Sequence, residues 1–278
     1  MINNLSKEDY FKKELFQLYL KIKNLPKSRS AHYARNLAAT QFYKVFLNAS
    51  LIIKGSEHLP YQSSSIFIYN HLNTNPEYEI DLDFQITLDS HFISSFILNK
   101  YYKNPGIRII RNSLSYEKNH SNYYDKFDYI RVYSTDFLPK NITKKKIKDS
   151  NNDFFRRSLN ELENNNSLII SPEGVSCETE NSPGKFKSGA FKLATMSRIE
   201  PYIVPIVMVN FDKIISNSTL KCEILKPFKM SDYGITSPHD PNLKNIVDII
   251  NKKYVKQIKS LIDFKLDFKD EISLLKKK

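Results

Sequence analysis

The chain has 278 residues, 41% of them apolar and 13% aromatic, which is enough to bury one core with a helical annex and too apolar for a disordered chain. A net charge of +12 and a pI near 9.4 suit an anionic lipid surface, a nucleic acid or a phosphorylated small molecule as partner. Two cysteines without a CxxC spacing argue against a disulfide framework and a zinc site, no signal-peptide core opens the chain, and no run approaches the roughly 18 apolar residues of a spanning helix.

Residues 8–23 read as an amphipathic helix with Phe11, Leu15, Leu18 and Ile22 on one face, widened by Phe16, Tyr19 and Leu20. Pro26 ends it, and a second helix is expected over 31–48 with Ala38, Phe42, Val45 and Phe46 on one side. Two readings fit the pair: packing against the main domain, or lying in a membrane interface with lysines at the head groups. From residue 51 short β-rich runs alternate with helical ones. Strands are expected at 51–55, 65–69, 129–133, 168–170 and 202–209, and helices at 83–102, 154–164, 186–197 and from Pro241 to about 262. The lysine-rich stretch 139–153 reads as a solvated mobile loop.

This alternation predicts an α/β fold: a mixed, largely parallel sheet covered by helices, with N-terminal amphipathic helices and a C-terminal helix. The expected organisation is an N-terminal helical segment (1–50), the α/β domain (51–230) and a C-terminal helical extension (231–278). The lysines of that last helix and Lys276, Lys277 and Lys278 could meet anionic lipid or simply be solvated.

Chemistry concentrates at two strand ends. His71 leaves the apolar strand 65–69, and Glu77, Glu79, Asp81 and Asp83 follow within twelve residues. A carboxylate on one imidazole nitrogen fixes the tautomer and raises the basicity of the other, which is what a general base needs. The chain has no Gly-x-Ser-x-Gly elbow and no His-Glu-x-x-His, which argues against a serine hydrolase and a zincin. The second strand end carries Ser171-Pro172-Glu173-Gly174. There Glu173 is placed to accept hydrogen bonds from a substrate or to pin the next loop, and Lys185 and Lys187 stand where a helix is expected to start, suiting an anion. A nucleic-acid binder is disfavoured, because neither a recognition helix nor an aromatic-basic signature is present.

Three blocks carry a resemblance. Ile53 to Pro60 followed by Ile66-Phe67-Ile68-Tyr69-Asn70-His71, then Ser171 to Ser176 with Phe186-Lys187-Ser188-Gly189-Ala190-Phe191, then Ile203-Val204-Pro205-Ile206 resemble, in order and spacing, the motifs of the glycerolipid (lysophosphatidic acid) acyltransferase superfamily. The resemblance implies transfer of an acyl group from a thioester, acyl-CoA or acyl carrier protein, to a hydroxyl of a glycerophospholipid-type acceptor. It makes His71 the general base without a covalent acyl-enzyme. It also implies no cofactor and no metal, acceptor-site roles for Glu173 and Gly174, an acyl-donor role for Pro205, and a cytoplasmic protein peripheral on the inner face of the membrane. A non-glycerolipid acceptor, or an inactive lipid-surface-binding relative, is the alternative.

Three departures from the pattern stand out. Pro76 occupies the position of the aspartate that the family places five residues after its histidine, so the carboxylate must come across an insertion. Asp83 is the expected residue, because the apolar run Phe84 to Leu88 follows it as a helix follows the family's aspartate; Asp81 is second, ahead of Glu77 and Glu79. Ser134 falls where an arginine is usual, with Arg131 three residues early, and Val175-Ser176 replaces Thr-Arg. Arg131, Arg108, Arg111, Lys185 or Lys187 would then hold any acceptor charge.

Overall fold

The computed structural model describes residues 6–62, 64–81, 84–134 and 138–265. In chain order they form α1 (Lys7–Lys23), α2 (Ala31–Phe46), β1 (Ser50–Lys54), β2 (Ser65–Tyr69) and a small antiparallel pair, β3 (Glu79–Asp81) and β4 (Phe84–Gln85). Helix α3 (Leu88–Phe92) continues through a π-helical turn, Ile93–Asn99, into α4 (Lys100–Tyr102). There follow β5 (Ile107–Arg111), α5 (Lys118–Tyr124), β6 (Ile130–Val132), α6 (Lys144–Glu163), β7 (Leu168–Ile170), α7 (Gly189–Met196), β8 (Tyr202–Val209), β9 (Thr219–Ile224) and α8 (Leu243–Asp263).

The main sheet has the order β1-β9-β8-β2-β7-β5-β6. Strands β8, β2, β7, β5 and β6 run parallel, and β9 with β1 runs against them. This is the mixed, largely parallel α/β sheet the alternation implied. Every residue of β2 is buried, as a central parallel strand covered on both faces requires. The chain steps one way from β2 to β5 and β6, then back to β7 and β8. Right-handed crossovers therefore put the α3–α4 rod and α5 on one face and α6 and α7 on the other. Between the two series, the carboxyl ends of β2, β7, β5 and β6 open a crevice.

Both N-terminal helices belong to the same core. Ser6 and Ser30 cap them, accepting from Asp9 N and Tyr33 N at 3.1 Å each, and Phe11, Leu15, Leu18, Tyr19 and Ile22 of α1 are buried. Phe11 meets Tyr78 and Phe46 at centroid distances of 5.3 and 6.2 Å, which fastens α1 and α2 to the turn ahead of β3. Phe16 stays outside the buried face, 42% exposed.

Four local expectations are corrected. Residues 84–88 form no helix: Phe84, Ile86 and Leu88 are buried and alternate with half-buried Gln85 and Thr87, a period of two that makes β4 and its exit, and the helix starts at Leu88. The stretch 139–153 is no loop beyond Thr143, whose hydroxyl accepts from Lys146 N at 3.2 Å and starts α6 ten residues before its first buried apolar anchor, Phe154. Helix α7 begins at Gly189 rather than near Phe186. Strands β5 and β9 escape a hydrophobicity reading because Arg108, Arg111, Lys221 and Glu223 interrupt them. Residues 276–278 lie outside the described residues.

Candidate active site

His71 stands two residues beyond the buried end of β2, and the backbone around it is held from three sides. Asn70, fully buried, donates to Met208 O at 2.8 Å and accepts from Met208 N at 2.7 Å, clamping β2 to β8. Its amide also reaches Ser182 Oγ at 2.9 Å. The carbonyl of His71 accepts from Cys177 N, and Asn73 N donates to Cys177 O, both at 2.9 Å, so the segment after β2 pairs with the segment after β7.

Glu173, 1% exposed, lies behind this pairing. Its Oε1 accepts the amide of His71 at 2.9 Å and its Oε2 the amide of Gly184 at 2.6 Å. Burial pushes its carboxyl up, opposed by those two amides and by the His71 ring. Of its two expected roles, the structure displays the second: Glu173 pins the loop. Gly174 has φ +71°, the left-handed region, and Lys187 lies over it so closely that an added Cβ would fall 2.8 Å from Nζ. Its carbonyl accepts from Ser134 Oγ at 2.9 Å, which joins β6 to the same corner.

The imidazole is oriented by Asp89, in the first turn of α3. Asp89 Oδ2 accepts from His71 Nδ1 at 2.6 Å and from Leu72 N at 2.8 Å, and Oδ1 accepts from Ser90 N at 2.5 Å. Three N–H donors on one carboxylate keep it ionised at 1% exposure; burial alone would raise its carboxyl, and the His71 ring with these donors brings it below the ordinary value. For His71 burial works downward, but the charge and hydrogen bond of Asp89, helped by Glu173, outweigh it and leave the ring more basic than usual. With Nδ1 bonded to Asp89, Nε2 is the nitrogen left for a ligand in the cavity that His71 lines.

The carboxylate expected at Asp83 is thus supplied by Asp89, eighteen residues after the histidine. Asp83 and the side chain of Asp81 lie outside the described residues. Glu77 faces away, bonded to Lys12 at 2.6 Å, and Glu79 lines the cavity wall. The β3–β4 pair lies between Pro76 and α3 and returns the chain in time for Asp89 to reach the ring. The signal for this was present in the alternation of Phe84, Ile86 and Leu88, which postpones the helix to the turn containing Asp89.

The cavity in front of His71 measures about 1300 Å³, above the usual range for a single drug-sized ligand. Its lining mixes apolar residues, among them Ile109, Ile110, Val132, Phe154 and Phe155, with polar ones, Arg108, Arg111, Ser134, Ser176 and Lys187. Arg111 is engaged by Glu117 in a two-pronged pair at 2.6 and 2.5 Å. Arg131 does not line the cavity; it binds Asp125 at 2.7 Å and Ser113 at 3.0 Å. Lys185 is exposed and does not line the cavity. Pro205 is buried in β8, where its carbonyl accepts from Leu225 N at 2.9 Å and its missing N–H falls at the end of the ladder with β9. A second cavity histidine, His120, is held down to about 4 by burial and by Arg111, so it is neutral and a weak base.

Taken together, the sheet order, the crevice at the carboxyl ends of β2 and β7, and a His–Asp pair opening on a half-apolar cavity define an α/β protein whose site is equipped for proton abstraction. Among solved structures, that of the 1-acyl-sn-glycerophosphate (LPA) acyltransferase PlsC from Thermotoga maritima is similar over 92% of this chain and 97% of that chain, with a TM-score of 0.56 and 14% identity. The two share a fold. No protein-family model and no curated protein sequence matches the chain.

Proposed function

We propose that the chain is an acyltransferase that moves a fatty acyl group from a thioester, acyl-CoA or acyl carrier protein, to a hydroxyl of a glycerophospholipid-type acceptor. The observation that carries this reading is the His71–Asp89 pair at the mouth of a large, half-apolar cavity. In the reaction His71 Nε2 takes the proton of the acceptor hydroxyl while the oxygen attacks the thioester carbonyl carbon. The tetrahedral adduct then collapses, the carbon–sulfur bond breaks, and the imidazolium returns its proton to the leaving thiolate. The products are an ester and a free thiol, with no acyl-enzyme. A base positioned in this way contributes about 10²–10⁴-fold, because a hydroxyl keeps its proton at neutral pH. The apolar lining residues Ile109, Ile110, Val132, Phe154 and Phe155 suit the acyl chain, and the cationic ones suit an acceptor head group.

The same cavity admits an acceptor outside the glycerolipids, while an intact His–Asp pair speaks against an inactive relative. None of the helices among the described residues is long and apolar enough to cross a membrane. The basic surface, with Tyr10, Phe16 and Tyr33 exposed on α1 and α2, supports peripheral attachment to an anionic membrane.

The test is thiol release from an acyl-CoA series with a panel of lysolipid acceptors, with products read by mass. His71→Ala should abolish release while leaving the circular dichroism unchanged. Turnover equal to that of the native protein would remove His71 from the chemistry.

A further inference from the structure

Arg108 is a buried cation that takes no part in the proton transfer as described. It sits in the second position of β5, 3% exposed, beneath the cavity. The hydrogen-bond partners of its guanidinium are uncharged: Nη2 donates to Thr87 Oγ1 at 2.7 Å and Ser90 Oγ at 2.5 Å, Nη1 lies against the ring of His91, and Nε–H has no partner among the described residues. The rings of Tyr124 and Tyr129 flank it at 5.6 and 5.3 Å. His91 adds no charge. Its Nδ1 donates to Thr87 O at 2.7 Å, and burial followed by the Arg108 charge holds it neutral. A buried cation with neutral partners is costly to fold around, so its charge should be put to some use.

The bonds lead back to the base. Ser90 accepts from Arg108 through its hydroxyl and donates to Asp89 Oδ1 through its amide, and Asp89 Oδ2 holds His71. We propose that Arg108 is a positioning residue for His71: a fixed buried cation, tied through Ser90 to Asp89, that keeps Asp89 anionic and His71 unprotonated so that the ring is free to act as a base. The other charged or titratable groups near the imidazole are Asp89 on α3, Glu173 beyond β7 and Tyr69 on β2. Both carboxylates draw a proton onto the ring, Tyr69 is kept neutral by burial, and Arg108 is the cation opposing them. Without Arg108, the two buried carboxylates would hold the proton on His71 to higher pH, and more of the Nε2 population would carry the proton it has to accept.

This inference rests on His71 being the base, and one measurement separates the two. The chain has six histidines, and the ring signal of His71 in an NMR titration is the one lost in His71→Ala. Arg108→Gln should shift its titration to higher pH, and thiol release should fall about tenfold near pH 6.5 and recover by pH 9, since one unit of titration is a tenfold change in unprotonated base. Arg108→Lys, which keeps the charge, should restore most of the native titration. If Arg108→Gln does not fold, Ser90→Ala replaces it: the guanidinium loses its tie to the Asp89 turn, and the shift should have the same direction at smaller size. A folded variant in which His71 titrates as in the native protein, or a loss of rate equal at every pH, overturns the proposal. If no thioester is ever turned over, the acyl-transfer reading fails while the titration still decides the role of Arg108.

Discussion

Two buried carboxylates touch the same histidine at different places. Glu173 holds the backbone amide of His71, at 2.9 Å; Asp89 holds the ring, at 2.6 Å. Glu173 comes from the corner after β7, beside β2 in the sheet, and its other oxygen is taken by Gly184 N. Asp89 comes from α3, which follows the β3–β4 pair back to the site. One fixes where the histidine is; the other fixes which tautomer it has and how basic it is. Position and protonation are therefore assigned to separate elements, and substitutions should separate them.

Asp89→Asn should have the largest effect. The native carboxylate accepts three N–H groups, from His71, Leu72 and Ser90. An amide has one oxygen. If it faces Leu72 and His71, its NH₂ opposes the Ser90 amide; if it turns, the NH₂ donates to Nδ1 and forces the proton onto Nε2, where the base should be. We expect a loss of about 10²–10⁴-fold in kcat/KM with the fold retained. The pH profile should report the same change. In the native protein the rate should rise with pH as His71 loses its proton, with the midpoint above the usual histidine value near 6.5 because Asp89 stabilises the imidazolium. In Asp89→Asn that stabilisation is gone and burial remains, so the residual activity should have its acid limb at lower pH. An acid limb at the native position would mean that Asp89 does not set the basicity of His71.

Glu173→Gln comes next and should fail differently. Its side chain faces two amides, and a glutamine can accept from only one through its oxygen, leaving the other opposed by an NH₂. One orphaned buried amide corresponds to about 1–3 kcal/mol of stability. The rate should fall by roughly tenfold as the histidine backbone loosens, and thermal melting should fall with it. Burial raises the Glu173 carboxyl while its amides and the His71 ring oppose that rise, so the site holds a second group whose charge acid would remove. A rate loss as large as that of Asp89→Asn, with melting unchanged, would make Glu173 a direct participant and collapse the distinction.

The unequal legibility of the two carboxylates in sequence has the same origin. His71 and Glu173 each follow a short, fully apolar strand, and a buried parallel strand announces its own carboxyl end within a few residues. Asp89 is separated from His71 by a hairpin, and its distance in sequence says little about its distance in space. An apolar run with charged residues just before it reads as the start of a helix, although Phe84, Ile86 and Leu88 alternate as a strand does. Elsewhere the parallel sheet and the long helices α1, α2 and α8 were readable because their apolar faces repeat over several turns. The second half of helix α6 is readable as well, whereas its first ten residues are not, because they rest on a Thr143 cap and on solvated polar side chains. Strand β5 was hidden by Arg108, whose burial depends on neighbours that no local pattern displays.

Glu77→Gln should have the smallest effect and marks the edge of the site. Glu77 is one of the acidic residues that follow His71 closely in sequence, but its side chain is 58% exposed and pairs with Lys12 on α1 at 2.6 Å. Such a pair, between flexible side chains in water, contributes little and is screened by salt. The turn it stands in is held by other means: Asn75 Oδ1 accepts from Glu77 N at 3.0 Å, and Tyr78 is buried against Phe11. Neither depends on the carboxylate. The rate and the acid limb should therefore match the native protein, with or without added salt. If Glu77→Gln instead lowered kcat/KM tenfold, a carboxylate outside the cavity would be acting on His71. The separation between a position-setting Glu173 and a proton-setting Asp89 would then have to include a third acidic group reaching the ring through the insertion.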